Sequence, residues 1–159
     1  MMLCQSVISH LTNEEHAVAA IKEQIAHDHL AMLICYYTEE YSSHKLQHSF
    51  RQHFPAIPVH GASSCRAIMT DKGFHPGPVV GVFAIYDSGS NAYGTGISDI
   101  DESSDSVTEI VFKTLDMALH NADRVGEVPS LILLHATPGN EESIIEAIDQ
   151  KFGTLVPII

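Results

Sequence analysis

The chain has few basic residues, and they are not clustered. Only 8 residues are Lys or Arg, against 20 Asp and Glu, which gives a formal net charge of −12 at pH 7. Binding to nucleic acid requires a basic face that neutralises phosphates, and this composition does not provide one. We therefore expect no nucleic-acid partner, and the acidity is typical of a protein that its charge keeps soluble.

Cysteines and long apolar segments are also scarce. The three cysteines, Cys4, Cys35 and Cys65, are odd in number and far apart, with no Cys-x-x-Cys pair. This pattern indicates free thiols and a reducing compartment. No segment reaches the roughly 18 apolar residues of a spanning helix, and the first residues lack the basic and apolar regions of a signal peptide. We expect a cytoplasmic protein with no membrane partner.

The remaining sequence alternates short apolar strands with amphipathic helices. Apolar spacing and capping residues predict four helices, which lie at 13–28, from residue 42 or 43 to Phe54, after the acidic segment 99–105, and after Asn140. Strands are predicted at 31–37, 57–60, 78–87, 92–98, 130–136 and 155–159. The segments 78–87 and 92–98 are predicted to form a central hairpin.

Residues 31–60 and 130–159 match at a constant offset of 99 without a gap. Thr38 falls on Thr137, Leu46 on Ile145 and Pro58 on Pro157. Each stretch reads as a strand, a Thr-bearing loop, a capped helix and a strand that begins with proline. The sequence therefore predicts an α/β fold whose mixed sheet contains two repeated βαβ units and the central hairpin, with helices packed on the sheet.

The offset also bears on the end of the chain. The second stretch stops at Ile159, the counterpart of His60, so the loop that follows His60 has no counterpart. We expect residues 1–159 to be a single domain that is a fragment, or the N-terminal part, of a longer ligand-binding region. An unpaired final strand would also favour self-association.

The stretch HGASSCR (60–66) carries the main functional question. In an enzyme, Cys65 would be the nucleophile and His60 its base, but the second glycine of a nucleophile elbow and an acid that orients His60 are not apparent. A tight turn of small residues with a surface arginine is a second interpretation. The third is a ligand-binding loop, in which a glycine admits a ligand, hydroxyls and N–H groups meet an anion, and Arg66 binds a carboxylate.

Ligands of open α/β sheets bind beyond the carboxyl ends of the strands, where the Thr38 and Thr137 loops also begin. The pattern therefore favours the ligand-binding interpretation. The predicted ligand-binding residues are Thr38, Gly61, Ala62, Ser63, Ser64, Cys65, Arg66 and Thr137.

The eleven histidines exceed what an ordinary surface needs. His44 and His48 are four residues apart on the second helix, with Glu40 four residues earlier, which gives either a metal-binding face or a solvated stripe. His60 and His75 flank the candidate loop and are better placed for a buried ligand. The candidate metal ligands are therefore His60, His75 and His44.

Several stretches resemble the N-terminal part of the FIST domain, namely AVAAIKEQIAH, LAMLICYYTEEY, FPAIPVHGASS, GPVVGVFAIYD and PSLILLHATPGNEESIIEAI. The strand–loop motif of that family runs Gly-Cys/Ser-Ser/Thr-Ser/Thr-x-Gly-Glu-Ile. In this chain Gly61, Ser63, Ser64 and Ile68 match the motif, whereas Ala62, Arg66 and Ala67 depart from it.

The resemblance implies a sensory domain of a bacterial signal-transduction system, which binds a small ligand and is not an enzyme. Amino acids are the ligands proposed for the family, and some stand-alone members resemble haem-binding nitric oxide sensors that regulate a partner histidine kinase. The cofactor is left open, with haem as a candidate. The alternatives are an enzyme with a Cys65 thiolate nucleophile and an interaction scaffold without a ligand.

Overall fold

The computed structural model describes residues 2–100 and 106–159. They form two compact units, Met1–Asn91 and Ala92–Ile159. The elements of the first unit are β1 (Leu3–Ser9), α1 (Glu14–Gln24), β2 (Leu30–Tyr37), α2 (Ser43–His53), β3 (Val59–Ser63), β4 (Ala67–Thr70), β5 (Gly73–Pro76) and β6 (Val80–Tyr86). Those of the second unit are α3 (Val107–Asn121) and α4 (Glu141–Phe152).

The first unit is built on a four-stranded mixed sheet in the order β1-β6-β2-β3. Strand β6 is antiparallel to both of its neighbours, whereas β2 and β3 are parallel and are joined through α2. The register places Val82 between Val7 and Cys35, and Cys35 opposite Gly61. A mixed sheet with packed helices confirms the predicted α/β class.

One face of this sheet and the two helices share an apolar core. In α1 the side chains that repeat at helical spacing are fully buried, and in α2 the predicted stripe is buried as well. Burial of such side chains is the main stabilising contribution to the unit. The helices contribute Ala17, Val18, Ile21, Leu46 and Phe50, with Phe54 directly after α2, and the strands contribute Val7, Leu30, Leu33, Cys35, Val80, Val82 and Ala84.

Two expectations about strand pairing are wrong. Residues 78–87 form β6 as predicted, but β6 pairs with β1 and β2 and not with 92–98. The segment 92–98 is not a strand and belongs to the second unit. A hairpin forms elsewhere, between β4 and β5, where Ile68 pairs with His75 and Met69 with Phe74.

The second unit packs α3 and α4 around a small apolar cluster. Val111, Ile144, Ala147 and Ile148 are buried there. Backbone hydrogen bonds join the two segments that flank α4, but they form only one parallel bridge, between Ile132 and Ile158, so residues 130–136 and 155–159 are not the strands that were predicted. None of the helices in the described ranges has both the length and the apolar character needed to cross a bilayer.

The register of the predicted repeat is confirmed. In the first unit Leu33 pairs with Val59, and in the second Ile132 pairs with Ile158, which are the same two positions moved by 99. The helices, however, are not related by that offset. Helix α4 begins 98 positions after α2 and is one residue longer (12 residues against 11). The buried side chains of α4 therefore follow those of α2 at an offset of 98 and not 99. As a result Ile145, the counterpart of the buried Leu46, is 42% exposed.

Candidate functional site

The loops that follow β2 and β3 lie side by side, because the two strands are parallel and end at the same edge of the sheet. The backbone N–H of Ser64 donates to the carbonyl of Tyr37 at 2.8 Å, and that of Glu39 donates to the carbonyl of Cys65 at 3.0 Å. Gly77, after β5, donates its N–H to the carbonyl of Arg66 at 2.9 Å. This edge therefore brings together four of the predicted residues, which are Thr38, Ser64, Cys65 and Arg66.

Three of the predicted ligand-binding residues, Gly61, Ala62 and Ser63, are in β3 and not in a loop. They pair with Cys35, Tyr36 and Tyr37 of β2. A Cβ placed on Gly61 would overlap the carbonyl oxygen of Cys35. The glycine therefore permits the close approach of two strands, and the loop itself begins at Ser64.

Thr38 has a structural role at the end of β2. The residue is completely buried, with 0% of its surface exposed. Its N–H donates to the carbonyl of Val79 at 3.1 Å, and its hydroxyl accepts the N–H of Val79 at 3.0 Å. The hydroxyl also donates to the carboxylate of Glu40. Thr38 thus joins β2 to the residue before β6 and orients Glu40.

Glu40 supplies an ionised carboxylate at this edge. The hydroxyl of Thr38, the residue's own N–H and the charge of Arg66 hold the pKa of Glu40 below its usual range. Both carboxylate oxygens are 2.8 Å from the position that a Cβ on Gly77 would occupy, so the group lies against the loop after β5. Sequence reasoning considered Glu40 only beside His44 and His48. A Thr-x-Glu directly after a buried strand is the signal that could have placed it here.

The three cysteines have different environments. Cys35 is buried in the sheet, and burial raises the pKa of its thiol to about 12, so that it is not a nucleophile at neutral pH. Cys4 and Cys65 are exposed. Cys65 has a φ of 60°, a left-handed conformation that is uncommon for residues other than glycine. It turns the chain sharply between Ser64 and Arg66.

The candidate metal ligands lie on three different elements. His60 is half-buried on β3, opposite Ile34, and His75 is half-buried on β5. His44 is exposed on α2, where it lines a groove of about 370 Å³ together with Glu14, Glu15 and other residues. Within residues 2–100 and 106–159, no three His, Cys, Asp or Glu side chains are placed to hold a metal ion together.

Thr137 lies in the second unit, exposed in the segment before α4. It precedes α4 as Thr38 precedes α2. Unlike its counterpart, it is not buried, and its role as a ligand-binding residue stays a prediction.

The model of the FIST N domain family matches residues 31–159, which is most of the chain. The chain belongs to the FIST family. FIST domains are sensor domains of signal-transduction proteins, so the family confirms the predicted class of function.

Two further comparisons add little to this assignment. No curated protein matches the sequence. Among solved structures, the chain is similar to a cyanuric acid hydrolase from A. caulinodans, with 12% identity and a TM-score of 0.39. The match covers 95% of this chain and 48% of the hydrolase chain, so this chain spans about half the length of that enzyme. A likeness this weak carries no argument about activity.

Proposed function

We propose that this FIST domain senses a small zwitterionic molecule of the amino-acid type, bound at the carboxyl ends of β2 and β3. The observation that carries the proposal is the pair of opposite charges on neighbouring loops, the carboxylate of Glu40 and the guanidinium of Arg66. Both side chains are exposed at the edge of the sheet. A carboxylate and a guanidinium at one edge are complementary to the ammonium and carboxylate groups of an amino acid.

The remaining parts of the edge support this role. Ser64 and Cys65 form the turn before Arg66, and the positive φ of Cys65 fixes where the arginine leaves the backbone. The hydroxyl of Thr38 orients the carboxylate of Glu40 through a hydrogen bond. Gly61, Ala62 and Ser63 pair with β2 and so position the loop that follows β3. These residues shape the site, and Glu40 and Arg66 contact the ligand. The output of the sensor would be a partner signalling protein, for which a histidine kinase is our proposal.

The charge requirement can be tested by calorimetry with a panel of amino acids, each compared with the matched amine and the matched carboxylic acid. We expect only molecules that carry both charges to bind. Charge-assisted hydrogen bonds contribute about 1.5–3 kcal/mol, so Glu40→Gln and Arg66→Gln should each weaken binding by roughly 10- to 100-fold. Glu39→Gln, one residue away and also exposed, is the matched control and should bind normally. Unchanged binding in Arg66→Gln would refute the proposal.

Haem is the other ligand that the family resemblance suggests, and the residues present do not fit it well. His60 lies within the sheet, paired with Ile34. The groove beside His44 is lined by charged and polar side chains, among them Glu14, Glu15 and Lys45, whereas a haem macrocycle needs an apolar pocket. Titration of the protein with haemin gives the direct test. A Soret band that is lost in His60→Ala or His44→Ala would replace our proposal with a haem sensor.

A further inference from the structure

Two histidines that are distant in sequence meet beside the hairpin of β4 and β5. His10 follows β1, and His75 lies in β5 opposite Ile68. Their ring centroids are 5.9 Å apart, and the ring planes are inclined by 53°. Neither residue contributes to the site of Glu40 and Arg66 described above.

One nitrogen of each ring takes part in a hydrogen bond, and the other nitrogen is the candidate metal ligand. Nδ1 of His10 is 3.1 Å from the carbonyl oxygen of Pro78. Because a carbonyl can only accept, Nδ1 of His10 bears the proton in this contact, and in the neutral imidazole the lone pair is then on Nε2. Nε2 of His75 is 3.0 Å from the hydroxyl of Thr70, which also accepts the N–H of Lys72 at 3.1 Å. Nδ1 is the nitrogen of His75 that Thr70 does not contact.

We propose that His10 and His75 bind one divalent transition-metal ion, such as Zn²⁺, Ni²⁺ or Cu²⁺, through Nε2 and Nδ1. Imidazole is a preferred ligand of these ions. With metal–nitrogen bonds of about 2.0–2.1 Å, two imidazoles on one ion have their centroids roughly 5–6 Å apart, as these two rings do. Metal-binding histidines characteristically donate the N–H of the second ring nitrogen to a backbone carbonyl or another oxygen. Nδ1 of His10 donates in this way to Pro78, and Nε2 of His75 does so to Thr70 in the tautomer whose Nδ1 binds the metal.

The surroundings favour a cation. Pro78, whose carbonyl orients His10, directly follows Gly77, and the carboxylate oxygens of Glu40 lie 2.8 Å from the Cβ position of Gly77. Arg66 partly offsets this charge, since it also acts on Glu40. The formal net charge of the whole chain, −12 at pH 7, also favours the approach of a cation.

The protein supplies two ligands, and water completes the coordination. No third His, Cys, Asp or Glu in the described ranges is placed to join a metal site. An ion with two protein ligands keeps open positions, so its affinity is below that of a structural zinc site with four. The site is therefore of the exchangeable kind, which can load and lose its metal.

The site can be tested without any substitution by NMR of the wild-type chain with substoichiometric Cu²⁺. We expect the signals of His10 and His75, and of Thr70 and Pro78 around them, to broaden first. Broadening that begins elsewhere and spares these residues would overturn the proposal.

Affinity provides the second test, in a His44→Gln/His48→Gln background, because those two exposed histidines lie one turn apart on α2 and could add a second binding event. In calorimetry with NiCl₂, His10→Gln and His75→Gln should each weaken binding roughly tenfold or more. Thr70→Val keeps both imidazoles but removes an orienting group, a loss that typically costs about 10- to 100-fold in affinity. His120→Gln, in α3, is the matched control and should bind normally. Equal affinity in the control and in His75→Gln would rule the site out.

Discussion

The buried hydroxyl of Thr38 donates a hydrogen bond to the carboxylate of Glu40, two residues farther along the chain. The same oxygen accepts the N–H of Val79, the residue before β6, at 3.0 Å. One side chain therefore ties two strands together and positions the anionic group of the candidate site. Stability and ligand binding are coupled through this hydroxyl, which gives the first prediction.

Thr38→Val keeps the shape of the side chain but leaves the N–H of Val79 buried without its partner. Such an unsatisfied group costs about 1–3 kcal/mol, and we expect the free energy of unfolding measured in urea to fall by that amount. The pKa of Glu40 should also rise, because its largest stabilising hydrogen bond is lost. Thr38→Ser retains the hydroxyl and is the control. A valine variant as stable as the serine variant would contradict the assigned role.

Asp87 should make the first unit sensitive to acid. Hydrogen bonds from the side chains of Asn91 (2.8 Å) and Ser90 (2.9 Å) lower the pKa of Asp87 to about 2 from 3.8. A carboxyl whose pKa is lower in the folded state stabilises the fold above its unfolded pKa, and this contribution is lost as pH falls from about 4 towards 2.

The measurement is the melting temperature between pH 2 and pH 7. Asp87→Asn should lower it at neutral pH and flatten its decline below pH 4, because the substituted side chain no longer takes up a proton on unfolding. The control is Asp99→Asn, an exposed residue of the second unit, whose profile should follow that of the wild type. An equal decline in the wild type and Asp87→Asn would exclude Asp87 as the acid-sensitive group.

The thiols should separate into two classes. Cys35 is buried with a pKa raised to about 12, whereas Cys4 and Cys65 are exposed. We expect an aromatic disulfide reagent at pH 8 to modify two thiols in the native protein and three after unfolding. Cys65→Ser should leave one reactive thiol and retain ligand binding, since the side chain is not the proposed contact. Loss of a catalytic turnover in Cys65→Ser would instead support the enzymatic alternative.

The register shared by the two stretches was predictable because it depends on local spacing. Pro58 accepts the N–H of Leu33 at 3.0 Å, and Pro157 accepts that of Ile132 at 2.9 Å, so each proline fixes where its strand begins. The rotation of α4 was not predictable from the offset. A loop shortened by one residue is compensated by one extra residue in the helix, which leaves both strand matches intact and changes only the inward face.

The hairpin of β4 and β5 was missed because apolar and polar residues do not alternate along its two short strands. Met69 is 80% exposed and its partner Phe74 is 70% exposed, so apolar residues lie on the solvent side. Glu40 was missed as a site residue for a different reason. Its place depends on contacts with Thr38 and Gly77, and the second of these is set by a loop 37 positions later that no local pattern specifies.

The segment 92–98 failed to form a strand because it lies along α3. A Cβ on Gly94 would overlap the carbonyl oxygen of Ala118, and one on Gly96 would overlap that of Thr114. Two extended residues advance about 6.6–6.8 Å, close to the roughly 6 Å that four helical residues span, so the two glycines match two successive turns of the helix.

Gly94→Ala and Gly96→Ala should therefore each force this segment away from α3. Overpacking of this kind typically costs about 1–3 kcal/mol, and we expect the free energy of unfolding of the second unit to fall within that range. Thr95→Ala is the matched control, because the carbonyl of Thr95 still accepts the side-chain amide of Asn121 at 2.8 Å. Hydrogen exchange of the α3 amides gives the measurement for this unit alone. If the α3 amides exchange as slowly in the Gly96→Ala variant as in the Thr95→Ala variant, the close approach to α3 is not the reason for glycine at this position.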